Sequence, residues 1–365
     1  MSPNSRTGSI IVLLATLSTA FALGVASAAR SQNDGGPPFA FPAEPVSFSN
    51  GVVRLSGAVL KPEGKGPFPA VVVVHGSGPA VFDEVAFRVH ANAFVRAGFA
   101  VLLYDKRGSG QSAGNLDTAD YDDLAADAAA GVQFLRARAD IAPDKIGILG
   151  RSEGGWVGTL AASRDPKIAF MIMSSGSAER PSAQTMFWSR GVLRAKGTPA
   201  AEIEAAVDAI TARWSYYRRV AQDPAWGRSP AGQSEREAVE RRLRSFARLA
   251  PEISQSVTDP LQEPPAYFRA FVQRIDYDPT LALRTVRAPL LAVIGEQDDG
   301  VDPASTISTF ERLRSSGGDF TVRTLPGVGH PLIIMTDNGP RYPEDYPEFV
   351  VRWARERVDS ATRPH

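Results

Sequence analysis

Residues 146–155 read Ile146-Gly147-Ile148-Leu149-Gly150-Arg151-Ser152-Glu153-Gly154-Gly155. A short apolar run ends in G-x-S-x-G, and a helix-compatible stretch follows over 154–163. That order predicts a buried strand, a sharp turn and a helix, with the serine hydroxyl held up at the turn. Glycines suit the turn because larger side chains would collide there. The helix N-terminus behind the serine favours developing negative charge. Ser152 is therefore the candidate nucleophile; the plainer alternative is a structural turn.

The same alternation continues on both sides of this stretch. Residues 46–49, the dipeptide Asn50-Gly51 and residues 52–60 predict a β-hairpin. The continuous apolar runs 70–74 and 99–104 predict strands buried on both faces, as in a parallel sheet. Helical spacing marks 85–97 and 121–138, and 168–173 reads as a fourth strand of the series. The alternation then stops. Residues 178–280 carry helix-prone charged stretches (200–219 and 234–249) broken by prolines, with no convincing strand. It resumes with strand 289–294, helix 303–315, strand 320–325 and a closing helix over 346–358. Strands alternating with helices predict right-handed crossovers and a parallel sheet covered on both faces. The expected organisation is an α/β core over 46–177 and 281–365, interrupted by a helical lid insertion over 178–280.

Composition narrows the chemistry. The 365 residues hold 40 Lys+Arg against 40 Asp+Glu, no cysteine and four histidines. The absence of cysteine excludes a disulfide framework, a thiolate metal site and a cysteine nucleophile. Charge balance argues against an electrostatic nucleic-acid partner. At the N-terminus, Arg6 precedes an apolar run over 10–26, and Ala26-Ser27-Ala28 supplies an A-x-A site. This is the layout of a signal peptide over 1–28, with a single membrane anchor as the alternative reading. The expected product is exported, periplasmic or secreted, with no membrane attachment after cleavage. Residues 29–45, rich in Gly and Pro, read as a flexible leader.

A serine nucleophile needs a base. His365 is the last residue, His90 falls inside a predicted helix, and His75 ends a buried strand, where a structural hydrogen bond is the better reading. His330 remains, in the loop Gly327-Val328-Gly329-His330 after the last strand, and is the expected general base and acid. The acid that orients it should come from Glu296, Asp298, Asp299 or Asp302, among which spacing cannot choose; Glu179 is a further alternative. The order serine, acid, histidine is that of α/β-hydrolases. Small residues in His75-Gly76-Ser77-Gly78 allow backbone N–H groups to approach an oxyanion, and the Glu153 N–H is the expected second donor. Residues 104–112 (YDKRGSGQS) lack the phosphate-loop pattern and read as a loop stabilised by Asp105 and Arg107.

The motifs HGSGP at 75–79, DKRGSGQS at 105–112, GRSEGG at 150–155, GEQDDGV at 295–301 and GVGH at 327–330 together resemble the α/β-hydrolase superfamily, over about residues 46–358. The S-E-G-G elbow, the D-K-R-G loop and Ile275-Asp276-Tyr277-Asp278-Pro279 resemble exported bacterial hydrolases, esterase-like or related to the prolyl-oligopeptidase catalytic domain. The resemblance implies Asp298 as the acid and Ser77 as the donor in the oxyanion loop, with Gly78 a close competitor. It departs at Arg151, where many relatives carry histidine. Dehalogenases and epoxide hydrolases place aspartate at the elbow, and Ser152 speaks against both. The scheme calls for no cofactor and no metal.

The expected function is cleavage of carboxylic ester or thioester bonds in a small molecule through an acyl-enzyme. A serine peptidase of prolyl-oligopeptidase type is the alternative. A catalytically idle binding protein on the same scaffold is the alternative from another class. Seven aromatic residues of the insertion (Trp188, Trp214, Tyr216, Tyr217, Trp226, Tyr267 and Phe268) could line a pocket, but most are expected to pack lid helices.

Overall fold

The computed structural model describes residues 38–360, apart from 250, 252–255, 333 and 337–338. The expected signal peptide, residues 29–37 of the leader and His365 lie outside the described residues.

The described chain begins with a hairpin of β1 (Ala43–Asn50) and β2 (Val53–Leu60), in which Asn50 pairs with Val53. Its two-residue turn is Gly51-Val52, one position later than expected, because the positive φ falls on Gly51 as the first turn residue. The leader also ends earlier than position 46. Ala43, Glu44 and Pro45 already pair with β2, and the Glu44 carboxylate takes two hydrogen bonds from Arg138 at 2.9 and 3.1 Å. Upstream, the Ala40 N–H donates to Asn92 at 2.8 Å, while the Asn92 amide donates to the Pro38 carbonyl at 2.9 Å. Ladder pairing and specific side-chain bonds thus order a stretch whose composition alone suggested a linker.

The α/β series follows: β3 (Phe68–Val74), α1 (Val85–Arg96), β4 (Ala100–Tyr104), α2 (Tyr121–Arg136), β5 (Ile141–Arg151), α3 (Glu153–Arg164) and β6 (Met171–Ser174). Five helices come next: α4 (Pro181–Ala195), α5 (Ala200–Gln222), α6 (Pro224–Arg228), α7 (Pro230–Arg244) and α8 (Pro265–Asp276). The chain closes with α9 (Pro279–Thr285), β7 (Leu290–Gly295), α10 (Pro303–Ser315), β8 (Phe320–Leu325), the short pair β9 (Ile334–Thr336) and β10 (Gly339–Arg341), and α11 (Tyr346–Ser360).

The main sheet runs β1-β2-β4-β3-β5-β6-β7-β8, antiparallel at its β1–β2 and β2–β4 edges and parallel from β4 to β8. Side chains alternate across it with a period of two. Val72 and Val74 of β3 pack with Leu124, Val132 and Trp156 on one face; Val71 and Val73 pack with Phe94, Val350 and Trp353 on the other. Helices α2, α3 and α10 therefore cover one face, and α1 and α11 the other. This two-sided cover is why the central strands read as unbroken apolar runs.

Helices α4–α8 form a separate apolar cluster. Trp214, Tyr216, Tyr217, Tyr267 and Phe268 are buried inside it, with Trp188 and Trp226 packed against it. The aromatic residues are thus chiefly its core, as expected. Helix α9 instead contributes Leu283 to the core of the sheet. Among the described residues, no helix is long and apolar enough to cross a membrane.

Candidate active site

β5 ends at Arg151, and α3 starts at Glu153. Between them Ser152 takes φ 50° and ψ −119°, a strained conformation for a residue with a Cβ. The flanking glycines are obligatory. A Cβ on Gly150 would lie 1.9 Å from the Gly154 carbonyl oxygen, and one on Gly154 would lie 2.5 Å from the Val74 carbonyl oxygen. The Ser152 N–H is tied to the Ser174 carbonyl at 2.9 Å, pinning the turn to β6.

Two loops, at the C-terminal ends of the neighbouring strands β7 and β8, bring their side chains to the hydroxyl. His330, after β8, places Nε2 at 3.1 Å from Ser152 Oγ and Nδ1 at 3.0 Å from each carboxylate oxygen of Asp298. Asp298 follows β7 and is buried; its Oδ1 also accepts the N–H groups of Gly300 (2.9 Å) and Val301 (2.7 Å). Glu296 and Asp299 are exposed, Asp302 caps α10 by accepting from the Ser305 N–H, and Glu179 accepts from Thr309. Of the five acidic residues left open by spacing, Asp298 is the one that meets the imidazole. With Nδ1–H donating to Asp298, Nε2 is the acceptor facing Ser152.

A fourth side chain was invisible to sequence reasoning. Ser175, just beyond β6, sets its Oγ 2.6 Å from Asp298 Oδ2 and 3.0 Å from His330 Nδ1. Its backbone has φ 52°, and its N–H is held by the Val293 carbonyl of β7 at 2.9 Å. Ser174-Ser175-Gly176-Ser177 carries no recognisable motif, so only the run of small residues after a buried strand could have hinted at it.

The loop after β3 lies against the nucleophile: a Cβ on Gly76 would be 3.6 Å from Ser152 Cβ. His75 is structural, as expected. Its ring packs edge-on against Phe87 and Tyr104, and its Nε2 bonds the Tyr104 carbonyl. Burial, with the Lys106 charge adding to it, pushes its pKa down to about 3, so it is neutral. His90 is likewise buried and bonded to the Tyr346 hydroxyl at 2.9 Å. Ser77 and Glu153 also come together, Ser77 Oγ standing 3.4 Å from Glu153 Oε2. The backbone N–H groups of both residues have no protein acceptor among the described residues.

The loop of 104–112 is bound as expected and does more besides. Asp105 accepts from the N–H groups of Phe82 (3.0 Å) and Gln111 (2.8 Å), and Arg107 grips Asp127 through two bonds of 2.6 and 2.7 Å. Between them Lys106, 4% exposed, donates to Glu153 Oε1 at 2.7 Å and to the Gly76 carbonyl at 2.9 Å. Burial raises the pKa of the Glu153 carboxyl, but Lys106 and Arg274 overcome this and hold it below the usual range. Arg151 turns away to lie over the Phe87 ring, 5.6 Å from its centroid.

The sequence matches the X-Pro dipeptidyl-peptidase (S15) family over residues 50–330. The chain belongs to that family. This S15 chain is 34% identical to the esterase EstD of Thermotoga maritima over 129 residues, covering 33% of the chain and 31% of EstD. It is 26% identical to a non-heme chloroperoxidase of Burkholderia pyrrocinia over 265 residues, 72% of the chain and 86% of that enzyme. The alignment thus spans about a third of EstD's length. Among solved structures, a Pyrococcus furiosus esterase superimposes with TM-score 0.51 at 19% identity, over 88% of this chain and 92% of its own. A proline iminopeptidase of Mycobacterium smegmatis does so with TM-score 0.53 at 20% identity, over 87% and 100%. At such identities the likeness establishes the α/β-hydrolase fold of the S15 chain and nothing finer.

Proposed function

We propose that the protein is a serine hydrolase that cleaves carboxylic ester or thioester bonds of small molecules through an acyl-enzyme. The observation that carries this reading is the continuous hydrogen-bonded line from Ser152 Oγ through His330 to Asp298. His330 Nε2 takes the Ser152 proton as Oγ bonds to the carbonyl carbon, and the carbonyl π pair moves onto oxygen. The N–H groups of Ser77 and Glu153 receive that oxyanion. On collapse the carbon–leaving-group bond breaks, and the leaving group takes the proton from His330. Water then repeats the sequence: His330 removes its proton, hydroxide oxygen bonds to carbon, and Oγ departs with the proton returned. Asp298 keeps the imidazole oriented and balances its charge without itself taking the proton.

Helices α4–α8 are the substrate-selecting lid in this reading. Support comes from Gln273 of α8, whose Oε1 accepts the Tyr121 N–H at 3.2 Å, while the Tyr121 hydroxyl is 3.4 Å from Glu153, next to the nucleophile. The family match over 50–330 favours a second reading, peptide-bond hydrolysis. The basic, apolar and small-residue segments of 1–28 support export to the periplasm or medium.

Turnover of p-nitrophenyl acetate by the wild type and by Ser152→Ala tests the assignment. The expected loss is about 10⁵-fold or more; retained activity overturns it. Rates on p-nitrophenyl esters of rising chain length, set beside aminoacyl anilides, decide between ester and peptide.

A further inference from the structure

Lys106 sits on the one carbonyl that matters most for an oxyanion hole. Gly76 C=O and Ser77 N–H belong to a single peptide unit, and in a trans peptide they point in opposite directions. Lys106 Nζ donates to the Gly76 oxygen at 2.9 Å. The same ammonium donates at 2.7 Å to Oε1 of Glu153, the residue that supplies the other N–H. Its own backbone is fixed, with N–H to the Ala80 carbonyl at 3.0 Å and C=O accepting the Ser109 N–H at 2.9 Å.

From this geometry we infer that Lys106 is the positioning residue of the oxyanion hole. It rotates the Gly76–Ser77 peptide so that the N–H faces the reaction centre, and it clamps the loop to the start of α3. A cation on an amide oxygen also draws electron density from the N–H at the far side of that peptide, making it the stronger donor. In a site this dry the effect is weakly screened. Glu153 serves as the counter-ion of the buried ammonium: its carboxylate meets Lys106 directly and takes weaker contacts from the hydroxyls of Ser77 and Tyr121, both at 3.4 Å. Lys106 touches no reacting atom. Its contribution arises when the carbonyl oxygen gains charge, so it acts on the transition state more than on bound substrate.

The inference rests on the hydrolase reading above, and the test separates the two. Lys106→Met removes the cation and leaves the buried Glu153 carboxylate without its direct ion-pair partner, so both stability and rate should fall. Lys106→Met/Glu153→Gln removes both charges and should recover most of the lost Tm. In the double variant, kcat on p-nitrophenyl acetate should remain about ten-fold or more below wild type, with KM changed by less than about two-fold. Affinity for an aryl trifluoromethyl ketone, which captures the serine as a tetrahedral oxyanion, should fall by a similar factor. Recovery of kcat together with Tm would make Lys106 a structural residue and overturn the inference. So would ketone affinity that matches wild type while kcat is low. If Ser152→Ala remains active, the hydrolase reading itself falls; if Ser152→Ala is dead and the double variant is fully active, only the role of Lys106 falls.

Discussion

Ser175 Oγ donates to Asp298 Oδ2 at 2.6 Å and lies 3.0 Å from His330 Nδ1, so one hydroxyl from β6 braces both partners of the nucleophile. With Gly300, Val301 and His330, it completes four donors around a buried carboxylate. Removing the hydroxyl leaves Asp298 and the imidazole free to tilt. A hydrogen bond to a charged group contributes about 1.5–3 kcal/mol. Ser175→Ala and Ser175→Gly should therefore both lower kcat roughly ten- to hundred-fold. They should differ in stability, because φ 52° suits glycine and strains alanine. Thermal melts and kcat measured on both variants check this: equal rates with wild type would dismiss the brace.

Gly150→Ala tests the turn. The new methyl would overlap the Gly154 carbonyl, so strand and helix must separate. Destabilisation of about 3 kcal/mol or more is expected, read as a shift of the urea midpoint. A variant as stable as wild type would mean that the elbow is looser than this geometry requires.

Arg107 and Asp127 form a buried bidentate pair between the loop of 104–112 and α2. Arg107→Met strands the carboxylate and should cost about 3–5 kcal/mol. Replacing both, as Arg107→Met/Asp127→Leu, should return most of that loss. Denaturant unfolding of the single and double variants gives the coupling directly.

Acid should weaken the fold through its buried histidines. Burial lowers the pKa of His75 to about 3 and of His90 to about 4, from an ordinary 6.5. The unfolded chain binds protons below pH 6.5 that the native state refuses, so stability is full above that pH. It drains away as pH falls towards each folded pKa. The slope is about 1.4 kcal/mol per pH unit for each histidine between roughly pH 6 and 4.5. His90→Gln should flatten the pH dependence of the urea midpoint across that window; an unchanged slope would show that His90 is not one of its sources.

Much of this was legible in the order of residues, and for definite reasons. Parallel strands buried on both faces leave unbroken apolar runs, and an elbow leaves glycines where side chains collide, so Ser152 stood out. Elimination among four histidines reached His330 because so few imidazoles occur in the sequence and it is the one in a loop after the last predicted strand. What stayed hidden depends on contacts between distant segments. Asp298 is named by the resemblance and not by spacing; burial and two backbone donors are what set it apart from its acidic neighbours. Lys106 looked like one more loop charge until Gly76 and Glu153, 30 and 47 positions away, came within reach. The start of β1 was masked by prolines that an edge strand tolerates.

The residues proposed to react, to brace or to position come from the ends of β3, β4, β5, β6, β7 and β8, and none of them comes from α4–α8. Strands β6 and β7 lie side by side, Met171 opposite Leu290, although more than a hundred residues separate them in the chain. The sheet would close in the same register around a much shorter connection. On the lid reading proposed above, taste in substrates can therefore drift through changes in α4–α7 while the cutting edge stays in place, whereas Gln273 and Arg274 tie α8 to Tyr121 and Glu153 and would have to be kept.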